Sequence, residues 1–159
     1  MDIREIILKL PQDNLLDELK SLFSKYDIDY SLGNDSLGLT WSQLRELSQD
    51  SLCTIGNHTY SHKSFTGCTD EEIVSDIQLA SKRMKEQVGI DMNHFAFSFG
   101  EASAVSQHDI DLIKSLGFRT SATTNHGLVS RKTDPLELPR LFVTERNWKE
   151  VIDYIADNC

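Results

Sequence analysis

Three cysteines are too few and too scattered to build a scaffold. Cys53, Cys68 and Cys159 are an odd set without C-x-x-C spacing, which excludes a disulfide framework and a cysteine zinc site. Cys53 lies in an apolar run and reads as a small core residue. Positive charge is scarce: 16 Lys and Arg face 25 Asp and Glu, for a formal net charge of -9. That balance leaves no basic stripe for nucleic acid and no basic patch for anionic lipid. No run approaches the roughly 20 apolar residues of a membrane span. The opening Met1-Asp2-Ile3-Arg4-Glu5 carries no leader pattern, so the expected location is the cytoplasm. Internal repeats and low-complexity stretches are missing too.

What is present is ordinary for a globular chain of 159 residues, 39% of them hydrophobic, and suffices for one domain with a sizeable core. Residues 1–38 form a helical N-terminal segment. Ile3, Ile6, Ile7 and Leu10 recur at helical spacing before Pro11, and Leu15, Leu16, Leu19, Leu22 and Phe23 repeat the pattern. A second region, residues 39–159, alternates helix and strand. Thr40-Trp41-Ser42-Gln43 and Thr69-Asp70-Glu71-Glu72 read as capping boxes. The second opens a long helix with Ile73, Ile77, Ala80, Met84 and Val88 on one face and Gly89 at its end. Ser106 and Asp109 cap another helix, which Gly117 closes, and Thr144 caps the last, with Trp148, Val151, Ile152 and Ile155. Strands are expected at 52–56, 94–99, 118–123 and 138–143. Strands separated by helices imply parallel pairing through right-handed crossovers, with ligands at the carboxyl ends of the strands.

His58 and His62 fall at that edge, in Thr54-Ile55-Gly56-Asn57-His58-Thr59-Tyr60-Ser61-His62. Imidazole is the commonest protein ligand for zinc-like metals. Residues four apart share one face of a helical turn, so both rings could reach one ion. A catalytic zinc usually takes three protein ligands and one open position, so the pair is part of a set. Taken alone, H-x-x-x-H is more often a surface or capping pattern. His94 and His108 sit at element ends, where surface placement is the simpler reading. Phe95, Phe97 and Phe99 alternate, as one buried strand face does.

Five segments in order raise the weight of the pair: Leu39 to Leu47; Thr54 to His62; His94-Phe95-Ala96-Phe97-Ser98-Phe99-Gly100; Leu116 to Thr124; and Leu138-Pro139-Arg140. Together they resemble the polysaccharide deacetylases, carbohydrate esterase family 4, over roughly residues 40–143. The resemblance implies a partial (β/α) barrel, α/β in class, with an extra helical N-terminal segment and its first strands missing. It implies a metal-dependent hydrolase of N- or O-acetylated polysaccharide. His58 and His62 match the metal ligands, with zinc the expected divalent ion. Phe99 matches the position whose backbone N–H faces the oxyanion. Asn57, Thr59 and Trp41 are the expected substrate contacts, although such a tryptophan more often simply packs.

Departures from the family pattern are as informative. The family's opening strand carries Thr-Phe-Asp-Asp, whose aspartates are the general base and the third metal ligand. No such motif occurs here, so the general base is absent. Ser98 stands where proline is common, and no histidine follows Leu138-Pro139-Arg140. His126 is not assigned to that role by its spacing. Truncation upstream, a degenerate remnant and a second chain that supplies the missing groups all fit this pattern. The alternative function is an inactive carbohydrate-binding or oligomerisation module. A sheet without its first strands exposes an edge, from which a two-fold homodimer is expected.

Overall fold

The computed structural model describes residues 38–158, with Asp17, Lys20 and Ser24. The expected helices before Pro11 and around Leu15 to Phe23 fall almost wholly outside the described residues, as does Cys159. Within them the order is α1 (Trp41–Gln49), a 3-10 turn (Phe65–Gly67), α2 (Asp70–Val88), β1 (His94–Ala96), α3 (Gln107–Ser115), β2 (Thr120–His126), β3 (Leu138–Arg140) and α4 (Trp148–Asn158).

Local chemistry sets the helix starts. Thr40, Thr69 and Ser106 each accept the backbone N–H three residues on, while Gln43, Glu72 and Asp109 reach back to the cap. Each box satisfies two donors that a helix start would otherwise leave open. Asp70, Glu71 and Glu72 add negative charge at the N-terminus of α2, where the helix dipole favours it. Gly89 ends α2 at φ 89, and its N–H returns to Met84 O and Lys85 O. Only a residue without Cβ takes that conformation cheaply. Arg45 of α1 donates to Gln87 O at 2.6 Å, tying α1 to the last turn of α2.

The three strands form a parallel sheet in the order β1-β2-β3, the small parallel sheet of a partial barrel. β1 and β3 are shorter than the sequence patterns suggest, whereas β2 runs three residues past its expected end, to His126. Residues 52–56 are not a strand: Leu52 lies in a turn closed by Cys53 N on Asp50 O, and one parallel bridge, between Asn57 and Phe95, joins the segment to β1. Cys53, Ile55 and Asn57 turn inward while Leu52 is 95% exposed, so the apolar run is not a buried strand. β1 ends at Ala96, although Phe97 N still donates to Ala122 O. The expected strand over 138–143 stops at Arg140, and Phe142 and Val143 are exposed. Residues 127–137, between β2 and β3, form a crossover of turns without a helix.

The core lies between the sheet and helices α2 and α3. Phe65, Ile73, Ile77, Phe95, Phe97, Ile110, Ile113 and Leu136 form one buried cluster. Phe97, 1% exposed, meets Phe65 and Phe95 edge-on at 5.6 Å and 5.2 Å between centroids, a favoured aromatic geometry. The buried hydroxyls of β2 are not orphaned: Ser121 donates to Leu136 O and Thr123 to Leu138 O. After Phe99 the chain passes against β2. A Cβ on Gly100 would lie 2.6 Å from Thr124 N, so this approach requires glycine.

Candidate metal centre

The segment before His58 is anchored to β1 and α2 by Asn57. Its backbone N–H donates to His94 O at 2.7 Å, and its carbonyl accepts from Ala96 N at 2.9 Å. Its side chain is buried and committed inward: Nδ2 donates to Ile77 O and Ser81 Oγ, and Oδ1 accepts from Thr59 N. Asn57 therefore builds the site from beneath, with no amide group left over for a ligand in solvent. His58 emerges next to it at the carboxyl end of β1.

The ring of His58 has a defined tautomer. Nδ1 lies 2.8 Å from Ala96 O. A carbonyl oxygen only accepts, so Nδ1 carries a proton, and in the neutral ring the lone pair is on Nε2. An N–H to backbone carbonyl bond of this kind is the usual support for a metal-binding imidazole.

The two histidines converge, but by a route unlike the helical turn expected from their spacing. Residues 58–62 form an irregular loop, with Thr59 at φ 66 and His62 at φ 57. Left-handed backbone at a non-glycine residue costs about 1–2 kcal/mol each and persists where surrounding contacts hold it. Those contacts are visible. Thr59 Oγ1 accepts from His62 N at 3.0 Å and meets Ser98 Oγ at 3.2 Å. The Asp76 carboxylate accepts from Tyr60 N, Ser61 N and Ser61 Oγ. The loop brings the His58 and His62 rings to 4.9 Å between centroids at 80°. Phe99 closes the row, its ring 5.2 Å from that of His62.

Phe99 is half-buried at the end of the β1 segment, and its backbone N–H makes no hydrogen bond to another described residue. Ser98, which stands where the family pattern favours proline, binds Thr59 through its hydroxyl and donates to His58 O at 3.4 Å. Trp41 is 42% exposed. It lines a cavity of about 240 Å³ with His58, Thr59, Tyr60, Arg83 and Met84, so α1 borders the histidine loop. A second, open cavity of about 460 Å³ runs along His58, Gly56, His94 and Ala96.

Two imidazoles with one free Nε2 fixed by its partner bond suit a divalent ion. A complete ligand set does not form: among the described residues no group of three or more His, Cys, Asp or Glu could hold a metal. The rings of the other histidines are engaged with partners outside the pair. His94 Nδ1 is 2.8 Å from Thr120 Oγ1, and His126 packs on Tyr154 at 5.0 Å. His108 bonds Asp70 at 2.9 Å. Asp70 raises the pKa of His108, through the hydrogen bond first and its charge second, with smaller help from Asp109 and Asp111.

Sequence reasoning did not identify Asp76 or Ser81, and marked Ser98 only as a departure from the family pattern. Asp76 and Ser81 sit 15 to 24 residues from their partners, and no local spacing marks such contacts.

The model of the family described as polysaccharide deacetylase matches residues 16–121. No curated protein shows a significant match to the chain. Solved structures do. IcaB from Ammonifex degensii is 22% identical with a TM-score of 0.60, over 72% of this chain and 52% of that one. The Streptococcus pyogenes deacetylase PplD in complex with acetate is 15% identical with a TM-score of 0.65, over 97% of this chain and 77% of that one. A de-N-acetylase from Aggregatibacter actinomycetemcomitans is 18% identical with a TM-score of 0.60, over 80% and 58%. The chain thus spans about half the length of IcaB. At these identities the likeness establishes a shared fold.

Proposed function

The chain belongs to the polysaccharide deacetylase family, and from that premise we propose that it removes acetyl groups from an N- or O-acetylated polysaccharide with the help of a divalent metal ion. The observation that carries this reading is the convergence of His58 and His62, with Nε2 of His58 left free by the bond from Nδ1 to Ala96 O. Zinc is among the divalent ions that imidazole ligands suit. When bound, such an ion polarises the acetyl carbonyl and lowers the pKa of a water.

The chain's own residues then have separable roles. His58 and His62 would hold the ion. Asn57 fixes the segment that carries them. The Phe99 N–H donates to the oxygen that gains charge as the carbonyl is attacked. Thr59 and Trp41 border the groove where the sugar lies, with Trp41 offering a face for stacking. By this reading the chain by itself is incomplete, because the Asp-Asp motif that supplies the general base and an acidic metal ligand does not occur in it. A two-fold homodimer is part of the proposal, burying the extra helices or the edge of the Thr54–His58 segment that no described strand pairs. Light scattering on the eluting protein should give twice the chain mass, and a clean monomer would count against it.

A second reading is an inactive carbohydrate-binding or oligomerisation module of the same fold. It is favoured by the lack of a third ligand among the described residues. Acetate release from partly acetylated glucosamine oligomers, with zinc added, separates the two. Release that stops in His58→Ala and His62→Ala supports hydrolysis. Glycan binding without release supports the module, and release that survives both substitutions contradicts the metal role of the pair.

A further inference from the structure

The carboxylate of Asp76, on α2, receives three hydrogen bonds from the loop between the two histidines. Oδ2 accepts from Tyr60 N at 3.1 Å and Ser61 N at 3.2 Å, and Oδ1 accepts from Ser61 Oγ at 2.8 Å. The loop has left-handed residues at Thr59 and His62, and such backbone is kept only where outside contacts over-determine it. Thr59 is held at its own N–H by Asn57 and by its hydroxyl contact to Ser98. The stretch from Tyr60 to His62 has fewer anchors. His62 is tied back to Thr59 Oγ1, so its position depends on where Tyr60 and Ser61 lie. Among the described residues, Asp76 is the group that fixes those two.

We infer that Asp76 is a positioning residue: it sets His62 against His58 by clamping the Tyr60–Ser61 turn to α2. It is not a metal ligand, because both of its oxygens are turned to the loop. Charge-assisted bonds to backbone N–H groups are stronger than neutral ones, and partners one step behind a metal ligand typically change metal affinity 10- to 100-fold. The inference rests on the metal reading above for its purpose, but not for its geometry.

The test uses the full chain and two readouts. The first needs no metal: amide hydrogen exchange at Tyr60 and Ser61, with the nuclear Overhauser contact between the His58 and His62 rings. The second is Co²⁺ affinity, followed by its visible absorption. In Asp76→Ala the two amides should lose protection, the ring contact should fade and Co²⁺ should bind about tenfold weaker or worse. Asp76→Glu should restore part of each. If Asp76→Ala does not fold, Ser61→Ala removes one of the three bonds and should shift the same readouts less. Unchanged exchange and ring contact in the folded variants would overturn the inference. If the wild type takes no Co²⁺ while exchange and ring contact still respond, the clamp stands and the metal reading falls.

Discussion

The half of the molecule around α2, β1 and α3 closes on itself, whereas α4 and the chain leading into it leave their apolar side chains open. Both are amphipathic by sequence. Ile73 and Ile77 of α2 and Ile110 and Ile113 of α3 pack against Phe95 and Phe97. On α4, Val151 is buried while Trp148, Ile152 and Ile155 are exposed, and Phe142 before it is 77% exposed. Periodicity therefore tells which side chains share a face and not whether that face has a cover. The histidine loop takes its supports from the closed half: Asp76, Ile77 O and Ser81 on α2, Ala96 O on β1, and Phe99 just beyond it. A site built on that half is held in place before any ligand arrives.

Truncating one large aromatic in each region breaks the comparison most sharply. Phe97→Ala should destabilise the fold by about 3–5 kcal/mol, the usual cost of emptying a packed aromatic site. Phe142→Ala should fall within about 0.5 kcal/mol of the parent, as surface changes do. Urea unfolding measures both, and equal losses would mean that Phe142 is covered in solution. Gly100→Ala should cost about 1–3 kcal/mol by overpacking, since its Cβ would press on the Thr124 backbone. It should also displace Phe99 and so weaken whatever the histidine loop binds.

The smallest effect concerns the contact between α2 and α3. Asp70 raises the pKa of His108 above its ordinary value. The pair's contribution to stability is therefore fully present below the unfolded imidazole value of about 6.5 and is lost as pH rises through the folded value. Both partners are exposed, so the effect is slight and screened by salt. Asp70→Asn should flatten this part of the stability profile between slightly acidic and neutral pH, as thermal melts across that range would show.

Legibility from sequence follows the range of the contacts. The capping boxes at Thr40, Thr69 and Ser106 and the glycine end at Gly89 are visible because they join residues three to five apart. The imidazole pair was visible as a pair, and the structure does bring its rings together. The route was not visible: the left-handed turns at Thr59 and His62 depend on Asp76 and Ser98, which the chain reaches only after folding. The strands expected at 52–56, 94–99 and 138–143 are overestimated for a related reason, while β2 runs past its expected end. A strand ends where its neighbour ends, and beside Leu52 to Gly56 the described neighbour offers a single bridge. The apolar run at 138–143 reads as a strand, yet its second half finds no partner among the described residues.

Calorimetric titration of zinc ion into the wild-type chain and into the His58→Ala/His62→Ala double variant tests the convergence of the two imidazoles most directly. The expected result is uptake of one ion per chain by the wild type, weak as befits two protein ligands, and none by the double variant. Uptake by the variant equal to that of the wild type, or no uptake by either, would contradict it.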